Sequence, residues 1–288
     1  MSRRRGSQGS LLIVTLWLVT ILGALSVAVA RYLSTEVRLT RYRLARQQAR
    51  ELARSGVWFA LNVIQEDAAT SMEDWSGEPW AIPQMISPAA GRQVTVTITD
   101  EERKLNLNTA TAAQLSSLLG DDALAQAVVD DAKDGAIAIL EQLNDLPDLT
   151  EDARALLHTT TTPYTAITQN GGPMNINTAT RQAMLAYGLS EYTVNMIDEV
   201  RLAPNRKFEQ PGDIMTILRG LNWAIAPLEQ EVKEQALLNA MMTSSSVFRV
   251  LSEGVVESSG VRVRVEAVIQ RSTDPTSPTP KIIAWREG

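Results

Sequence analysis

Cysteine is absent from the 288 residues, and histidine occurs once, as His158. Without cysteine the chain has no disulfide, no thiolate nucleophile and no cysteine-based zinc or iron–sulfur site. One histidine excludes every site that needs two, and at the end of a helix its imidazole can bond the last carbonyls. The sequence also lacks Gly-x-Ser-x-Gly, P-loop and paired-histidine motifs. We therefore expect no catalytic residue and no enzymatic activity.

Charges of one sign do not dominate the chain, which carries a net charge of −6. The chain as a whole is therefore not expected to bind polyanions through its overall charge. Hydrophobic residues make up 44% of the sequence and charges are interspersed among them, which is typical of a folded protein.

Charged side chains are missing altogether from residues 11–30, which begin with Leu11 and end with Ala30. A helix of that length, at about 1.5 Å per residue, covers the hydrocarbon core of a bilayer, which is about 30 Å thick. We therefore predict that this segment spans a membrane. A secretory signal peptide cleaved near Ala30 is the alternative, but its apolar region is normally about 7–15 residues long. Here helix-compatible sequence also continues past the span.

A continuous helix is predicted to follow the span. Residues 31–67 contain no proline and one glycine, and they are rich in residues that favour helix. Apolar residues recur among the charges, which gives the helix an apolar face. We therefore predict one helix over residues 10–67, with its first half in the membrane. The second half would form a stalk that carries Trp58, Phe59 and Leu61 into a globular core.

Strand patterns occupy two separated parts of the remaining chain. Residues 92–100 alternate strictly with β-branched side chains, which predicts a half-buried strand. Three further β-prone segments lie in the tail, at residues 247–257, 261–271 and 281–286. Residues 68–104 and 244–288 are therefore assigned to one antiparallel sheet packed on the stalk. The predicted fold class is α+β, with a helical block inserted into the sheet.

Prolines and glycines interrupt residues 71–91. Because proline removes a backbone donor and fixes φ, this segment is predicted to be a loop. Trp75 and Trp80 are expected to hold it against the body.

A repeated motif introduces the predicted helical block, residues 105–243. The pattern Asn-x-Asn-Thr-Ala begins at Asn106 and again at Asn175. Each copy precedes a short helix, a glycine and a second helix, which predicts two helix-turn-helix units in an all-α insertion of helix-hairpin-helix or SAM-like type. The predicted helices are residues 112–119, 122–133, 137–146, 150–157, 181–187, 190–202, 214–218 and 227–242, with a loop at 159–163.

Capping residues support the two units. Thr109 and Thr178 are predicted as N-caps, because a threonine hydroxyl can accept a bond from an early backbone N–H group. Gly120 and Gly188 suit the left-handed position that ends a helix.

Together these features resemble the K-type minor pseudopilins of the type II secretion system, the GspK family. The resemblance rests on a basic leader ending at Gly9, an uninterrupted anchor and stalk helix, and a helical block between strands. Its most specific feature is the repeated motif, with Asp100-Glu101-Glu102 just before the first copy. It implies a structural subunit that caps the tip of a periplasmic pseudopilus and supports protein export.

The resemblance also implies that residues 1–9 are a prepilin leader, removed by a membrane peptidase after Gly9. Ser10 would then be the mature N-terminus; Gly6 is a second candidate that would leave three more residues on the mature helix. Major pseudopilins carry a glutamate at the fifth mature position, which here is Val14. K-type subunits lack that glutamate, and a subunit without it need not bind the N-terminal amine of a subunit ahead of it.

The partners implied by the resemblance are the I- and J-type minor pseudopilins, the major pseudopilin and the prepilin peptidase. The implied location is the bacterial inner membrane, crossed once, with the C-terminal body in the periplasm. The charges around the span indicate the opposite orientation, because three arginines precede it and six follow it by Arg50. We give the resemblance precedence over this count.

Calcium is the one ligand that the resemblance suggests, since K-type domains often bind it through an acidic loop. Asp130, Asp131 and Asp134 lie in the corresponding neighbourhood. Calcium needs about six to eight oxygen ligands from convergent groups, whereas aspartates on a helix usually form a solvated face. We therefore assign no metal or other cofactor, and keep these three aspartates as calcium candidates.

Two other functions fit parts of the sequence. The repeated motif followed by two helices also resembles the helix-hairpin-helix of membrane-anchored competence DNA receptors. Such hairpins usually need Gly-x-Gly and nearby basic residues, whereas Asp121 and Glu191 lie beside the glycines here. Because acidic groups repel phosphate, nucleic acid is not an expected partner. A minor pilin of a related type IV filament system is the other alternative.

Overall fold

One helix of 63 residues, α1 (Gln8–Thr70), dominates the molecule. The computed structural model describes residues 8–70, 73–134, 136–146, 149–164, 174–203, 207–272 and 279–288. The predicted continuous helix is confirmed, and it extends beyond residues 10–67 at both ends. In the described chain it is the one helix long and apolar enough to cross a membrane. Gly9 and Ser10 lie in its first turn, whereas residues 1–7 of the predicted leader lie outside the described residues.

Five of the seven described strands form one antiparallel sheet. In chain order the strands are β1 (Gln84–Ala89), β2 (Arg92–Asp100), β3 (Leu105–Asn106), β4 (Thr161–Thr162), β5 (Val247–Val256), β6 (Val261–Gln270) and β7 (Lys281–Glu287). The sheet order is β1-β2-β5-β6-β7, and β3 and β4 form a separate pair that is parallel. β2 pairs with β5 along its whole length, so everything between these two strands is inserted into the sheet. The α+β fold class is confirmed.

Strand β1 corrects the prediction that residues 71–91 form a loop. It pairs with β2 at the edge of the sheet, with Met85 opposite Thr95, and its register shifts before Ala89. An edge strand tolerates Pro88, which disguises the strand in the sequence. The expected role of Trp80 is confirmed, since its buried ring packs edge-to-face on Phe248 with the centroids 5.2 Å apart.

Helix α1 packs on the sheet through small residues. Ala45, Ala49 and Ala53 are buried on the helix face that meets β5. A Cβ atom on Gly254 of β5 would collide with the backbone of Ala49 and Ala53, and one on Gly56 would collide with the side chain of Ser252. The helix and the sheet therefore approach more closely than any larger side chain would allow.

The insertion between β2 and β5 has its own core, separate from the core that α1 forms with the sheet. Its described helices are α2 (Ala112–Leu119), α3 (Asp122–Asp134), α4 (Glu151–Thr160), α5 (Arg181–Tyr187), α6 (Glu191–Leu202), α7 (Asp213–Gly220) and α8 (Leu228–Ala240). Gly120 and Gly188 adopt the predicted left-handed conformation, with φ of 70° and 114°. The exact limits of the inserted domain, residues 105 and 243, stay a prediction.

The predicted N-caps are wrong by two residues. Thr111 caps α2 and Thr180 caps α5, each by accepting a bond from the third helical backbone N–H group. Thr109 lies instead in a turn in which its backbone N–H donates to the carbonyl of Asn106. The first asparagine of each motif, Asn106 or Asn175, begins this turn. The helix can start only after the turn is complete.

Two other segments differ from the prediction. Residues 137–146 hold a shorter 3-10 helix, Leu140–Asp145, rather than an α-helix. Residues 159–163 were predicted as a loop, but α4 continues to Thr160 and β4 follows it directly. β4 pairs with β3, which a local pattern of two residues cannot reveal.

Candidate assembly helix and the head it carries

The first half of α1 protrudes from the rest of the molecule. Every residue from 11 to 44 is exposed, and Ala45 is the first to be buried. At about 1.5 Å per residue these 34 positions make a rod about 50 Å long. We call this rod, residues 11–44, the leg, and we call the rest of the described chain from Ala45 onward the head. The charge-free part of the leg, residues 11–30, needs either a bilayer or other helices around it.

Polar side chains within residues 11–30 do not disturb this apolar surface. Thr15 and Thr20 donate to the carbonyls of Leu12 and Trp17, at 2.9 and 2.8 Å. Ser26 donates to a carbonyl four residues earlier, at 2.8 Å. Each hydroxyl therefore bonds within the helix and presents no unsatisfied donor to a surrounding hydrocarbon phase. Val14 is 59% exposed and offers no carboxylate to a neighbour.

An exposed apolar stripe continues above residue 30. Leu33, Val37 and Leu44 recur at spacings of four and seven residues, which places them on one side of the helix. Trp58 lies on the same side farther along, away from the sheet, and is 60% exposed. This stripe, Leu33, Val37, Leu44 and Trp58, is therefore free to contact another helix.

The acidic sequence Asp100-Glu101-Glu102 lies where the sheet meets the insertion, and we call it the acidic junction. Asp100 ends β2 and accepts bonds from Ser245 at 2.6 Å, from Asn175 at 3.3 Å and from Thr178. Asn175 and Thr178 belong to the second repeated motif. One buried carboxylate therefore joins the sheet to the second helical unit.

The two glutamates of the acidic junction make different connections. Glu101 accepts bonds from Thr162 of β4 and from Arg249 of β5, so it joins the sheet to the first helical unit. Glu102 accepts two bonds from Ser246, both at 2.8 Å, just before β5 begins. The three consecutive acids thus bind both helical units, and they also bind the segment where the chain re-enters the sheet just before β5.

Burial changes the acidity of these groups. The pKa of Asp100 rises to about 7 because the carboxyl is buried, and because Glu102 lies nearby. Bonds from Ser245 and Thr178 act in the opposite direction. Burial also acts to raise the pKa of Glu101, but bonds from Arg249 and the charge of Lys104 outweigh it, so this pKa is lower than usual.

The second asparagine of each motif binds a distant backbone segment. Asn108 accepts from the N–H of Ile137 at 2.8 Å and donates to its carbonyl at 3.0 Å. Asn177 makes the same pair of bonds with Phe208, both at 2.9 Å. The side-chain amide thus makes with one backbone residue the two hydrogen bonds that a paired strand would otherwise make. The motif therefore fixes the interior of each helical unit, and no ligand role is needed to explain it.

A second acidic group lies near the end of α1. One carboxylate oxygen each from Asp67, Asp74 and Glu78 lies within 4.8 Å of the others, close enough to share a metal ion. Arg271 already binds two of them, with distances of 2.8 Å to Asp67 and 2.9 Å to Asp74. Glu78 accepts from the indole of Trp80 at 2.7 Å. We therefore interpret this group as an ion-paired latch between α1 and the loop before β1.

The latch also contains a perturbed carboxyl. The pKa of Asp67 rises to about 7 because of burial and because Glu78 lies close, although the charge of Arg271 opposes the rise.

The structure describes the side chains of two of the three calcium candidates. Asp130 and Asp131 are exposed on α3, and Asp130 accepts bonds from Gln126 at 2.8 Å and Lys133 at 3.1 Å. The side chain of Asp134 lies outside the described residues, so these three aspartates stay untested candidates. His158 lies in the last turn of α4, as predicted, and is exposed.

Sequence reasoning missed the basic partners of the buried acids. Arg249 and Arg271 lie in the β-prone tail, far along the chain from Glu101 and Asp74, and nothing local marks them. The only available signal was the isolated run of three acids between a strand and an apolar segment, where burial would require partners.

Comparison with known proteins finds a shared fold. No family model matches the chain, and no curated protein matches it. Among solved structures, a chain of the GspK-GspI-GspJ complex from the type 2 secretion system of enterotoxigenic Escherichia coli is similar, with a TM-score of 0.68. The two are 16% identical over 86% of this chain and 99% of that chain. At this identity the likeness shows a pseudopilin-like fold.

Proposed function

We propose that this protein is a K-type minor pseudopilin of a type II secretion system. It is a structural subunit without enzymatic activity, and it caps the tip of a periplasmic pseudopilus that supports protein export. The observation that carries the proposal is the exposed leg joined without a break to a head whose sheet contains a large helical insertion. The similarity to a chain of the GspK-GspI-GspJ complex supports it.

The leg supplies the contacts of assembly. Before assembly its apolar residues lie in the inner membrane, and in the pseudopilus they pack against the legs of neighbouring subunits. In both surroundings residues 11–30 are enclosed by apolar groups, so transfer between them does not expose this part of the leg to water. The stripe from Leu33 to Trp58 extends the contact toward the head.

The head supplies the cap. The insertion enlarges it beyond a sheet and a helix, and the acidic junction holds that bulk rigidly to β2 and β5. A subunit added above would meet this bulk. Val14 at the fifth mature position removes the carboxylate that would bind the amine of a subunit ahead, which also suits the first position.

The partners follow from this role. They are the I- and J-type minor pseudopilins, the major pseudopilin and the prepilin peptidase, and the head lies in the periplasm. Cleavage after Gly9 leaves Ser10 as the mature N-terminus. A minor pilin of a related type IV filament system would share the leg and the cleavage, but it would assemble with different partners.

The first experiment measures the mass of the mature N-terminus in cells with and without the prepilin peptidase. Cleavage after Gly9 that is lost without the peptidase is the expected result. An uncleaved Met1 would contradict the proposal and favour the membrane-anchored helix-hairpin-helix alternative. Cleavage near Ala30 would indicate a secreted protein, with the leg removed.

Assembly needs a separate test. Co-purification of the tagged chain with I- and J-type pseudopilins, from cells that express all three, should recover a complex. Substitution Gly9→Leu, which blocks the leader peptidase, serves as the matched control because the unprocessed chain keeps its head. If cleavage occurs but neither partner is recovered, the protein is a pilin-like subunit of another filament system.

A further inference from the structure

Charge is distributed unevenly between the two ends of the chain. Residues 1–54 contain ten arginines and two glutamates, which is a net charge of +8, whereas the whole chain carries −6. The remaining residues therefore carry −14. The proposed function treats residues 1–9, with three of these arginines, as a leader that is removed, and it gives no role to the arginines that follow the span.

Five arginines of this segment are exposed and follow the span directly. They are Arg31, Arg38, Arg41, Arg43 and Arg46, and we call them the arginine collar. Among the described residues none of the five forms an ion pair. The next two arginines, Arg50 and Arg54, differ because both bind Glu287 of β7. Pairing with the head therefore stops where the leg begins to protrude.

Unpaired arginines at this spacing repel each other. Arg38 and Arg41 are three residues apart, as are Arg43 and Arg46, and like charges at such spacing destabilise a helix by a few tenths of a kcal/mol. Glu36 is the single acid among residues 31–46. A bound anion would remove this repulsion.

The positions of the collar arginines along α1 indicate which anion they can reach. Arg31 and Tyr32 come immediately after the predicted span, at the depth of the lipid headgroups, where arginine and tyrosine are favoured. Arg38 lies about 10 Å farther along the axis. A headgroup layer extends about 5–8 Å beyond the hydrocarbon, and its field extends about 8 Å more at physiological salt. Arg31 therefore reaches lipid phosphates directly, and Arg38 and Arg41 lie within or near their field.

We propose that the three collar arginines nearest the span, Arg31, Arg38 and Arg41, attract anionic phospholipids in the leaflet that faces the head, with Arg31 bonding lipid phosphate directly. The inference rests on the proposed function in one respect, namely that α1 crosses a membrane. A guanidinium group pairs with phosphate through two parallel N–H bonds, which makes arginine well suited to this ligand. The contact fixes the depth of the leg and offsets the repulsion between the anionic surface and residues 55–288, which carry a net charge of −14.

The absence of cysteine makes the test direct. In the full-length chain, Ser34→Cys introduces one thiol on the exposed helix one turn above Arg31, and a donor fluorophore is attached to it. The protein is placed in phosphatidylcholine vesicles that contain acceptor-labelled phosphatidylglycerol or, at the same mole fraction, acceptor-labelled phosphatidylcholine. We expect phosphatidylglycerol to be enriched about fivefold near the donor, which corresponds to about 1 kcal/mol for one arginine near the surface. High salt should reduce the enrichment.

Two matched variants identify the residues responsible. The triple substitution R31Q/R38Q/R41Q should abolish the enrichment. The substitution R92Q/R262Q/R264Q removes the same charge from exposed positions on the sheet and should leave it unchanged. Equal enrichment in both triple variants would overturn the inference, and so would the absence of enrichment in the parent protein.

Two further measurements separate the explanations. Extraction of the parent protein from vesicles by alkaline carbonate would overturn the membrane anchor of the proposed function and, with it, the collar. Retention without any preference for phosphatidylglycerol would overturn the collar alone. Displacement of labelled phosphatidylglycerol by short duplex DNA would assign the collar to nucleic acid instead.

Discussion

At the level of single residues, two glycines determine how closely the long helix lies on the sheet. Gly254 leaves room for the backbone of α1, and Gly56 leaves room for β2 and β5. Neither has a positive φ, so their role is one of space rather than of backbone conformation. A larger residue at either position would have to push the helix away from the core.

We predict that Gly254→Ala destabilises the head by about 1–3 kcal/mol, the usual cost of overpacking a well-filled contact. The measurement is chemical unfolding of the detergent-solubilised protein. Gly220→Ala is the control, because a Cβ there meets nothing and the backbone is not left-handed. Equal stability of the two variants would show that the helix can shift without cost.

A second residue-level prediction concerns pH. Because the pKa of Asp100 is about 7 in the folded protein and near 4 in an unfolded chain, the folded state binds more protons between these values. Stability contributed by Asp100 is therefore complete below about pH 4 and is lost as the pH rises to about 7. Asp67, whose pKa is also raised to about 7, acts in the same direction.

Asp100→Asn tests this dependence, since an amide cannot ionise. The loss of stability between pH 5 and 8, measured from unfolding midpoints, should be smaller in this variant than in the parent, by roughly one proton. Asp131→Asn, at an exposed position, should keep the slope of the parent. A slope unaltered by Asp100→Asn would show that this carboxyl is already ionised at pH 5.

At the level of elements, the two repeated motifs hold separate helical units. Asn108 binds the backbone at Ile137 within the first unit, and Asn177 binds the backbone at Phe208 within the second. Each asparagine lies at the end of the same turn, and each satisfies backbone groups that would otherwise be buried without partners. The acidic junction then joins both units to the sheet.

Loss of one asparagine should therefore loosen one unit more than the other. We predict that Asn177→Ala increases hydrogen exchange in α5 to α8, and that Asn108→Ala does so in α2 to α4. A cost of about 1–3 kcal/mol is expected for each, because the freed backbone groups stay buried. Asn62→Ala, on the exposed side of α1, is the control. Uniform loosening of both units by either variant would mean that they unfold together.

The sequence predicts some elements well and others poorly, for physical reasons. The long helix is clear from its composition, because its first part carries no charge and no proline interrupts it. Strands β2 and β6 are clear because apolar and polar residues alternate along most of their length. β3 and β4 have two residues each and exist because they meet across the fold. The N-caps were misplaced because the motif asparagine forms a turn of its own before each helix.

The sequence likewise shows one part of the candidate site and not the other. The apolar leg is visible in the sequence because its composition alone requires an apolar environment. The acidic junction was noticed, but its partners Arg249 and Ser245 are almost 150 residues away and carry no local signal. Long-range ion pairs become predictable only when the strand order is known.

At the level of the whole molecule, the exposed surface of α1 continues from the leg onto the head. Trp58 is on α1 where it crosses the head, but its ring faces outward and is 60% exposed. Exposed aromatic residues of this kind often carry much of the energy of an interface. The prediction that the stalk carries Trp58 into the core is therefore wrong, and the proposed function gives this ring a place in the assembly surface.

We predict that Trp58→Ser leaves the unfolding midpoint within about 0.5 kcal/mol of the parent, because exposed substitutions rarely cost more. Recovery of I- and J-type pseudopilins by the tagged protein should fall about tenfold or more. Trp285→Ser, at a 40% exposed position on β7, should retain recovery. A large loss of stability in Trp58→Ser would instead place this ring in the core.

Because the helix is continuous, the length of the leg sets both the height of the head and its rotation about the helix axis. Because α1 passes from the leg into the head as one continuous helix and packs closely on Gly254, the leg fixes the direction in which the head faces. Each residue added to the segment between residues 31 and 44 would raise the head by about 1.5 Å and turn it by about 100°. One added residue would thus rotate the head by about a quarter turn around the helix axis. Seven added residues would return it to within about 20° of its original orientation. The number of residues in the leg therefore determines the orientation of the head as well as its distance from the span.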